Sequence, residues 1–488
     1  MMLRVSKIKL GFPLLTQRLA SFEARKKSVI EKAAVDGELR VFIVAGEVSG
    51  DNIGSRLMCS LKKLSPLPLR FHGVGGSMMC KQGLTSLFPM EDLAVMGLWE
   101  LLPHLYKFRV KLKETIDAAA MFKPHVVVTV DSKGFSFRLL KQLRARYNQQ
   151  HLENSAVHFH YVAPSFWAWK GGESRLGARY NQQHLENSAV HFHYVAPSFW
   201  AWKGGESRLG GLSEFVDHLF CILPNEESVC REHGVEATFV GHPLLEDINL
   251  VRTCKPQESK LEGLSKYSLP SDSTVISVLP GSRLQEVERM LPIFSKAMKL
   301  LKDPFPNLVT LIHVASNSQV DHYIGKSLPQ WPVPAILVPS GSTQLKYDAF
   351  GVSQAALCTS GTVAVELQLA CLPSLVAYRA HFLTELFIRY KAKIPYISLP
   401  NILLDSPIIP EALFRACNPS NLALILERLL LDEEMRGKQV VAAEKLARLL
   451  HPSESGMSSK LVHYSDLDSH RYTPSNLAAS TILSYAKR

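Results

Sequence analysis

Short apolar runs rich in β-branched residues alternate along this chain with longer stretches of helical periodicity. Strands that alternate with helices form parallel sheets through right-handed crossovers. The runs fall into two series on either side of Gly241-His242-Pro243, which we interpret as a hinge. We therefore predict an α/β protein with two doubly wound parallel sheets. The predicted strands are Arg40–Val44, Phe71–Val74, His125–Val130, Val157–Val162, His218–Leu223, Ala237–Val240, Val275–Leu279, Leu308–Val314, Ala335–Val338, Gln354–Cys358 and Ser374–Ala377.

The length of 488 residues is enough for two or three domains. Hydrophobic residues make up 46% and charged residues 20%, which is typical of a globular enzyme and excludes a disordered chain. No apolar run reaches the roughly 18 residues of a membrane-spanning helix, so we expect a protein that is soluble or lies on a membrane surface. The eight cysteines form no C-x-x-C pair, which favours free thiols over a metal or disulfide framework.

The N-terminal segment is strongly basic. Residues 1–35 carry eight basic and two acidic side chains, and therefore six of the eleven net positive charges. The first 22 residues contain no acid, and their composition matches that of an organelle transit peptide. A disordered basic tail is the alternative. We assign residues 1–38 to this segment and expect the folded part to begin near Leu39.

Residues 145–177 recur without a change as residues 178–210. A solenoid needs about three or more units, which diverge from one another, so this duplication is not a repeat of that kind. Each copy carries one candidate strand, Val157–Val162 or Val190–Val195, and we expect one place for it in a sheet. Because loop-closure entropy grows slowly with length, we predict that one copy joins the sheet and that the other is displaced to the surface.

Two motifs of the second half directly follow predicted strands. Leu279-Pro280-Gly281-Ser282-Arg283 and Thr359-Ser360-Gly361-Thr362 lie where ligands bind in doubly wound sheets. The unpaired N–H groups of a helix N-terminus suit a diphosphate, and the Arg283 guanidinium is suited to stabilise its charge. Glu366 lies one turn beyond Thr362, where its carboxylate is placed to accept hydrogen bonds from ribose hydroxyls. A plain capped helix is the alternative.

The first half also has polar residues at strand ends. Asp131 directly follows the strand His125–Val130 and is suited to act as a general base, with a helix N-cap as the alternative. The first strand runs into Gly46-Glu47-Val48-Ser49-Gly50-Asp51. Two acids in this loop would repel a phosphate, so we interpret its glycines as a tight turn near the reacting groups. Glu47 is then a candidate for binding substrate hydroxyls.

Residues 90–113 combine a large apolar set with a row of basic side chains, Lys107, Arg109, Lys111 and Lys113. A Trp and Leu face beside a basic face is typical of a helix that lies in a membrane interface. An ordinary core helix with a solvated basic edge explains the pattern equally well.

Eight motifs in this order resemble the lipid-A-disaccharide synthase family, over residues from about 40 to about 415. Besides the motifs above they include MEDLAVMG at 90–97, YVAPSFWAWK at 161–170 and SLPN at 398–401. The resemblance implies the glycosyltransferase-B fold, in which two Rossmann-like domains face each other across a cleft. Residues 39–243 would then bind the acceptor and residues 244–415 the UDP-sugar, while the helices of 416–488 pack back on the first domain.

The resemblance also implies a reaction. Members join two acylated glucosamines by inverting transfer of 2,3-diacylglucosamine from its UDP derivative to 2,3-diacylglucosamine 1-phosphate, giving a β-1,6 disaccharide and UDP. It implies no cofactor, metal or nucleic acid, but a membrane surface and a homodimer. The implied residues are Asp131 as the base, with Glu47 and Arg283 also catalytic; Gly281, Ser282, Arg283, Ser360, Gly361, Thr362 and Glu366 for UDP; and Ser49, Asp51, Met96 and Asn401 for sugar and lipid.

Two other functions stay open at this point. A UDP-sugar epimerase uses the same fold and similar nucleotide contacts but has no lipid substrate. Alternatively, the duplication has disrupted the first domain and left a stable, inactive isoform. A transit-like extension on a family best known from bacteria indicates a plant member, peripheral to the membrane on the matrix side of mitochondria, with the chloroplast as second choice.

Overall fold

A computed structural model describes residues 27–93, 98–130, 133–149, 157–161, 191–194, 203, 205–206, 209–247, 264–265, 267–380, 385–386, 390, 392–452 and 473–486. Its strands are β1 (Leu39–Ala45), β2 (Leu69–Val74), β3 (Leu84–Ser86), β4 (Val126–Val130), β5 (Val157–Tyr161), β6 (His191–Tyr194), β7 (His218–Cys221), β8 (Ala237–Phe239), β9 (Thr274–Leu279), β10 (Leu308–His313), β11 (Ala335–Val338), β12 (Ala355–Cys358), β13 (Ser374–Tyr378) and β14 (Glu411–Leu413).

The α-helices of the described residues alternate with these strands. They are α1 (Val29–Asp36), α2 (Val48–Leu64), α3 (Ser77–Lys81), α4 (Leu98–Phe122), α5 (Lys133–Gln149), α6 (Glu226–Glu232), α7 (Leu284–Leu301), α8 (Ser318–Ser327), α9 (Thr343–Val352), α10 (Thr362–Leu369), α11 (Leu399–Leu404), α12 (Pro419–Leu431), α13 (Glu433–Leu450) and α14 (Pro474–Ser484). Two short 3₁₀ segments used below are Met90–Leu93 and Pro243–Asp247.

Two parallel sheets form the two halves of the molecule, as the strand and helix pattern predicts. The first has the order β3-β2-β1-β4-β5-β6-β7-β8 and the second the order β11-β10-β9-β12-β13-β14. All five residues of β4 are buried, because helices cover both faces of a parallel sheet. The chain reverses its direction of growth between β1 and β4, and between β9 and β12. Ligands bind beyond the carboxyl ends of strands at such switch points.

The predicted strands are confirmed within one or two residues of their ends. The exceptions are β3 and β14, which sequence periodicity missed because each is only three residues long. Seven cysteines lie in the described residues, and all seven are free thiols.

The duplicated segment departs from the prediction, because both copies form strands of the first sheet. The prediction that one copy leaves the sheet is therefore wrong. The physical reason is that the two strands are identical, so each offers the same edge groups for pairing. Val157 of β5 pairs with Val126 of β4, while His191 of β6 pairs with Val127, so both copies follow one register along β4.

β6 has pairings to three other strands of the first sheet. His193 and Tyr194 are paired with β4, with their own counterparts in β5, and with β7. A strand has two hydrogen-bonding edges. Because both copies share one register along β4, β5 and β6 compete for the same place between β4 and β7. The residues that join β5 to β6 lie outside the described part of the chain.

The folded part begins earlier than Leu39, which corrects the predicted boundary of the N-terminal segment. Helix α1 starts after Ser28, whose side chain forms a capping box with Glu31. Val29 and Ala33 are buried one turn apart on its inner face, in the core of the first domain. The S-x-x-E spacing of Ser28 and Glu31 is a sequence signal for this helix.

The C-terminal helices divide between the two domains. Helix α12 packs on the second sheet, where Leu422, Leu426 and Leu429 are buried, so it does not return to the first domain as predicted for residues 416–488. The return begins with α13, whose Leu446 and Leu450 join the first core, and continues with α14. Helix α12 stays with the second domain because its apolar face covers the second sheet.

Candidate active site

The loop after β1 lies against the end of β4. Gly46 donates its N–H to the carbonyl of Val130 at 3.3 Å. A Cβ atom at Gly50 would lie 3.1 Å from Cγ1 of Val130 and 3.2 Å from the Val130 carbonyl oxygen, so a side chain there would have to move α2 and β4 a few tenths of an ångström apart. Glu47 caps α2 at this point and is partly exposed. The loop therefore stands beside the chain position of Asp131, which itself lies outside the described residues, as does Met96.

The Asp51 carboxylate is buried and binds backbone N–H groups. Asp51 is 4% exposed, and its carboxylate accepts N–H groups from Gly76 at 2.9 Å and from Met78 and Met79 at 3.0 Å. These three N–H groups belong to the beginning of α3 and its cap. Asp51 thus binds the loop after β2 to α2 and neutralises the positive end of α3. Ser49, in the same loop, is partly exposed.

The loop after β9 is built around a buried carboxylate. Gly281 has φ 126°, and a side chain there would lie 2.5 Å from the carboxylate of Glu286. The Glu286 carboxylate also accepts the Ser282 N–H at 3.4 Å. Burial raises the pKa of Glu286, although Arg283, the Thr359 hydroxyl and the Ser282 N–H all act to lower it. The Glu286 carboxylate therefore supports the turn from the inner side, and Arg283 lies on the outer, partly exposed side of the turn.

Arg283 joins the two domains across the cleft. One of its terminal nitrogens lies 2.9 Å and 2.8 Å from the two carboxylate oxygens of Glu47. Both side chains keep part of their surface exposed, 38% for Arg283 and 27% for Glu47. The structure therefore brings together two residues that are 236 positions apart and that the sequence placed at separate strand ends.

The loop after β12 ends at an open helix N-terminus. Gly361 precedes α10 with φ 142°, and a side chain at Gly361 would meet no atom within 4 Å. Ser360 is partly exposed, and Thr362 is exposed. Thr359 donates its N–H to Leu279 at 3.1 Å, which holds this loop beside the loop after β9. The two motifs of the second domain thus share one edge of the sheet.

Glu366 lies one turn inside α10 and is 8% exposed. Its Oε1 atom accepts a hydrogen bond from the Tyr347 hydroxyl at 3.0 Å and forms an ion pair with Lys346. Both partners lie on α9, and sequence analysis missed them because no motif links α9 to α10. Burial, with the Glu366 and Asp247 carboxylates in second place, raises the pKa of Tyr347 far above its usual range, so it is a hydrogen-bond donor.

Asn401 is fully buried in the SLPN motif. Its amide nitrogen donates to the Ile409 carbonyl and to Glu411, each at 2.8 Å, and its oxygen accepts the Ile409 N–H at 2.8 Å. Glu411 also accepts the N–H and hydroxyl groups of Ser398. The motif thus fixes the segment between β13 and β14 to the sheet edge.

A family model described as lipid-A-disaccharide synthetase matches residues 41–185 and 176–464. The chain belongs to the lipid-A-disaccharide synthase family. As a member of that family, it is a glycosyltransferase. The two matched ranges overlap at residues 176–185, where the second copy of the repeat begins, so that each range contains one complete copy. This agrees with a family pattern that requires the segment once.

Individual relatives agree with the family assignment. A protein of Arabidopsis thaliana named "Probable lipid-A-disaccharide synthase, mitochondrial" is 78% identical over 495 residues, covering 100% of both chains. The lipid-A-disaccharide synthase of Rhodospirillum centenum is 36% identical over 412 residues, which is 84% of this chain and 90% of that relative.

Solved structures resemble the chain in fold. The UDP-GlcNAc 2-epimerase of Neisseria meningitidis, bound to UDP-GlcNAc, has a TM-score of 0.51 and 12% identity, and the match covers 84% of this chain and 99% of the epimerase. The likeness shows two facing α/β domains, as the lipid-A-disaccharide synthase resemblance implied. Within the described residues, no helix combines the length and apolar character needed to cross a membrane.

Proposed function

We propose that this chain transfers 2,3-diacylglucosamine from UDP-2,3-diacylglucosamine to 2,3-diacylglucosamine 1-phosphate, forming a β-1,6 disaccharide 1-phosphate and UDP. The observation that carries the proposal is the contact of Glu47 with Arg283, 2.8 Å across the cleft. It joins the loop at the end of β4, the strand that Asp131 follows in the sequence, to the loop that is suited to a diphosphate. An acceptor and a nucleotide sugar bound on the two sides would meet there.

The second domain would hold the nucleotide. The open N-terminus of α10, behind Gly361, offers N–H groups and a partial positive charge to the diphosphate. Arg283, on the adjoining loop, has a partly exposed side chain, and its guanidinium suits phosphate oxygens. Glu366 would accept hydrogen bonds from the ribose hydroxyls. Charge that develops on the leaving UDP would thus be stabilised by groups that are already in place.

The first domain would activate the acceptor. Inverting transfer is one displacement, in which the acceptor 6-hydroxyl oxygen attacks the anomeric carbon as the bond to the UDP oxygen breaks. It needs one base near the attacking oxygen, and not the pair of carboxylates of a retaining hydrolase. We assign this role to Asp131, which follows the buried strand β4. Glu47 would bind sugar hydroxyls once Arg283 turns to the diphosphate.

The same proposal includes a membrane surface. On α4, Tyr106 is 79% and Val110 45% exposed, beside the exposed Lys107, Arg109 and Lys113. Leu112 and Ile116, further along the helix, are core residues. An exposed apolar and basic stretch in the middle of a core helix suits anionic lipid and acylated substrates. The basic N-terminal segment and the name of the Arabidopsis relative support a mitochondrial location, peripheral to the membrane on the matrix side.

Product analysis tests the proposal. The purified chain is incubated with UDP-2,3-diacylglucosamine and the monosaccharide 1-phosphate, and lipid products are identified by mass spectrometry. We expect a disaccharide 1-phosphate and one equivalent of UDP. A parallel reaction with UDP-N-acetylglucosamine alone tests for an epimerised sugar. An epimer, or no product from the chain and from a variant without residues 178–210, would contradict the proposal.

A further inference from the structure

The carboxylate of Glu366 is held by one of its two oxygens. The Tyr347 hydroxyl and the Lys346 ammonium both contact Oε1. Among the described residues, Oε2 takes part in no hydrogen bond. The carboxylate is therefore fixed from the α9 side and keeps acceptor capacity on its other side. A ligand with two adjacent hydroxyls needs such an arrangement, since an ionised carboxylate is an acceptor only.

Tyr347 is itself anchored to the hinge between the domains. Its hydroxyl lies 3.5 Å from Oδ2 of Asp247, at the end of the 3₁₀ segment Pro243–Asp247. The same oxygen of Asp247 accepts a hydrogen bond from Arg56 at 2.7 Å. Arg56 belongs to α2 of the first domain and also donates to the Pro243 carbonyl at 2.5 Å. A continuous series of polar contacts thus runs from α2 through the hinge to Glu366.

The shape of the site limits what Tyr347 can do. The side chain is 1% exposed, so its hydroxyl has no access to bulk solvent and must find its partners within the protein. A phenol has one proton to donate, and Glu366 is the nearer of the two carboxylates. The hydroxyl proton is therefore shared, mainly with Glu366 at 3.0 Å and more weakly with Asp247 at 3.5 Å on the hinge side.

We propose that Tyr347 is a positioning residue for nucleotide binding: it orients Glu366 toward the ribose hydroxyls, and Asp247 with Arg56 holds it in place. This inference rests on the proposed role of Glu366 in binding ribose. The physical gain is preorganisation. A free glutamate loses rotamer freedom when it binds a ligand, and a glutamate that is already fixed does not.

The ring of Tyr347 and its hydroxyl have separable roles. The ring packs edge-to-face against Phe350, with centroids 5.7 Å apart, and it belongs to the core under β12. Tyr347→Phe keeps this packing and removes only the hydroxyl. Tyr267→Phe is the matched control, because it removes a hydroxyl that donates to the Leu345 carbonyl of the same helix at 3.2 Å, away from Glu366.

Titration calorimetry with two probes, UDP and 2′,3′-dideoxy-UDP, tests the inference on the full chain. Glu366→Ala should weaken UDP binding about 5- to 150-fold, the effect of losing charge-assisted hydrogen bonds, and should leave the dideoxy probe within about twofold. Tyr347→Phe should weaken UDP binding about 5- to 20-fold with the same selectivity. Tyr267→Phe should bind both probes like the parent chain.

Each result separates two failures. If Glu366→Ala binds UDP normally, the ribose site lies elsewhere and the proposed function needs another nucleotide contact. If Glu366→Ala is selective but Tyr347→Phe binds UDP like the parent, the positioning role alone is wrong. Equal loss for both probes in Tyr347→Phe would show a general structural effect, which also overturns the inference.

A second variant tests the anchor at the hinge. Asp247→Asn keeps the shape of the side chain and removes its charge. We expect a loss of UDP affinity of about two- to fivefold, smaller than for Tyr347→Phe and again absent with the dideoxy probe. An unchanged UDP affinity would remove Asp247 and Arg56 from the proposal and leave Tyr347 alone.

Discussion

Two helix N-termini, one in each domain, show opposite treatment of the same physical feature. In the first domain the carboxylate of Asp51 accepts hydrogen bonds from the N–H groups at the start of α3. In the second domain the start of α10 has no side-chain cap, and space lies open beside Gly361. Both ends carry a partial positive charge. The comparison teaches that a helix N-terminus is available to an anionic ligand only where no carboxylate of the protein already binds its N–H groups.

The largest effect should come from Asp131, the acid that directly follows β4 in the chain. Asp131→Asn should lower turnover by roughly 10²–10⁴, the usual contribution of a general base, and leave UDP affinity unchanged. Steady-state kinetics and calorimetry measure the two quantities. Asp92→Asn, at a half-exposed aspartate of the same domain, is the control. Near-normal turnover in Asp131→Asn would remove this residue from catalysis.

The next effect concerns the occupied N-terminus. Asp51→Ala strips three N–H groups of their acceptor, so we expect the free energy of unfolding to fall by about 2–4 kcal/mol in urea titrations. Asp51→Asn keeps an acceptor oxygen and should lose less. A normal unfolding curve for Asp51→Ala, together with weaker acceptor binding, would show that Asp51 contacts substrate and would break the comparison.

Making the open N-terminus resemble the occupied one is a more direct test. Ser360→Asp places a carboxylate before α10, where it would repel a diphosphate. We expect UDP binding to weaken by about 1–3 kcal/mol, and less at high salt. Ser360→Asn, which has the same shape without the charge, should bind UDP like the parent. Equal binding by both variants would place the diphosphate elsewhere.

The smallest effect should follow removal of one repeat. Without residues 178–210, one strand remains to pair with β4 and β7, in the register that both copies share. We expect the thermal midpoint to rise by roughly 1–4 °C, equivalent to about 1 kcal/mol, and activity to stay at least equal. A less stable or inactive deletion variant would show that both copies are required.

The sequence predicts the architecture well, because the apolar strands of a parallel sheet are continuous and easy to recognise. It also places Glu47, Arg283 and Gly361 in loops that follow strands, and Glu366 one turn into the next helix. It does not predict that Glu47 meets Arg283, since this depends on how two domains face each other.

Other features depend on burial, which a motif does not reveal. Asp51 and Glu47 are both acids of one loop, yet only Asp51 is buried against backbone N–H groups. The Asn401 side chain is likewise hydrogen-bonded within the protein, to Ile409 and Glu411. Tyr347 lies in no motif at all. The fate of the repeat was predicted wrongly because loop entropy was weighed and the pairing capacity of two identical strands was not.

The two ends of the described chain meet, and this orders the assembly of a newly made protein. Ser28 pairs with Ala486, and Val29 donates its N–H to the Tyr485 carbonyl at 2.9 Å. The first core contains Ala478 and Ile482 of α14, which follow the whole second domain in the chain. The second core is complete with Leu429. Domains ordinarily fold in the order in which they are synthesised. Here the core of the first domain is completed by α14, which lies beyond the second domain in the chain, so all core residues of the second domain precede the last core residues of the first.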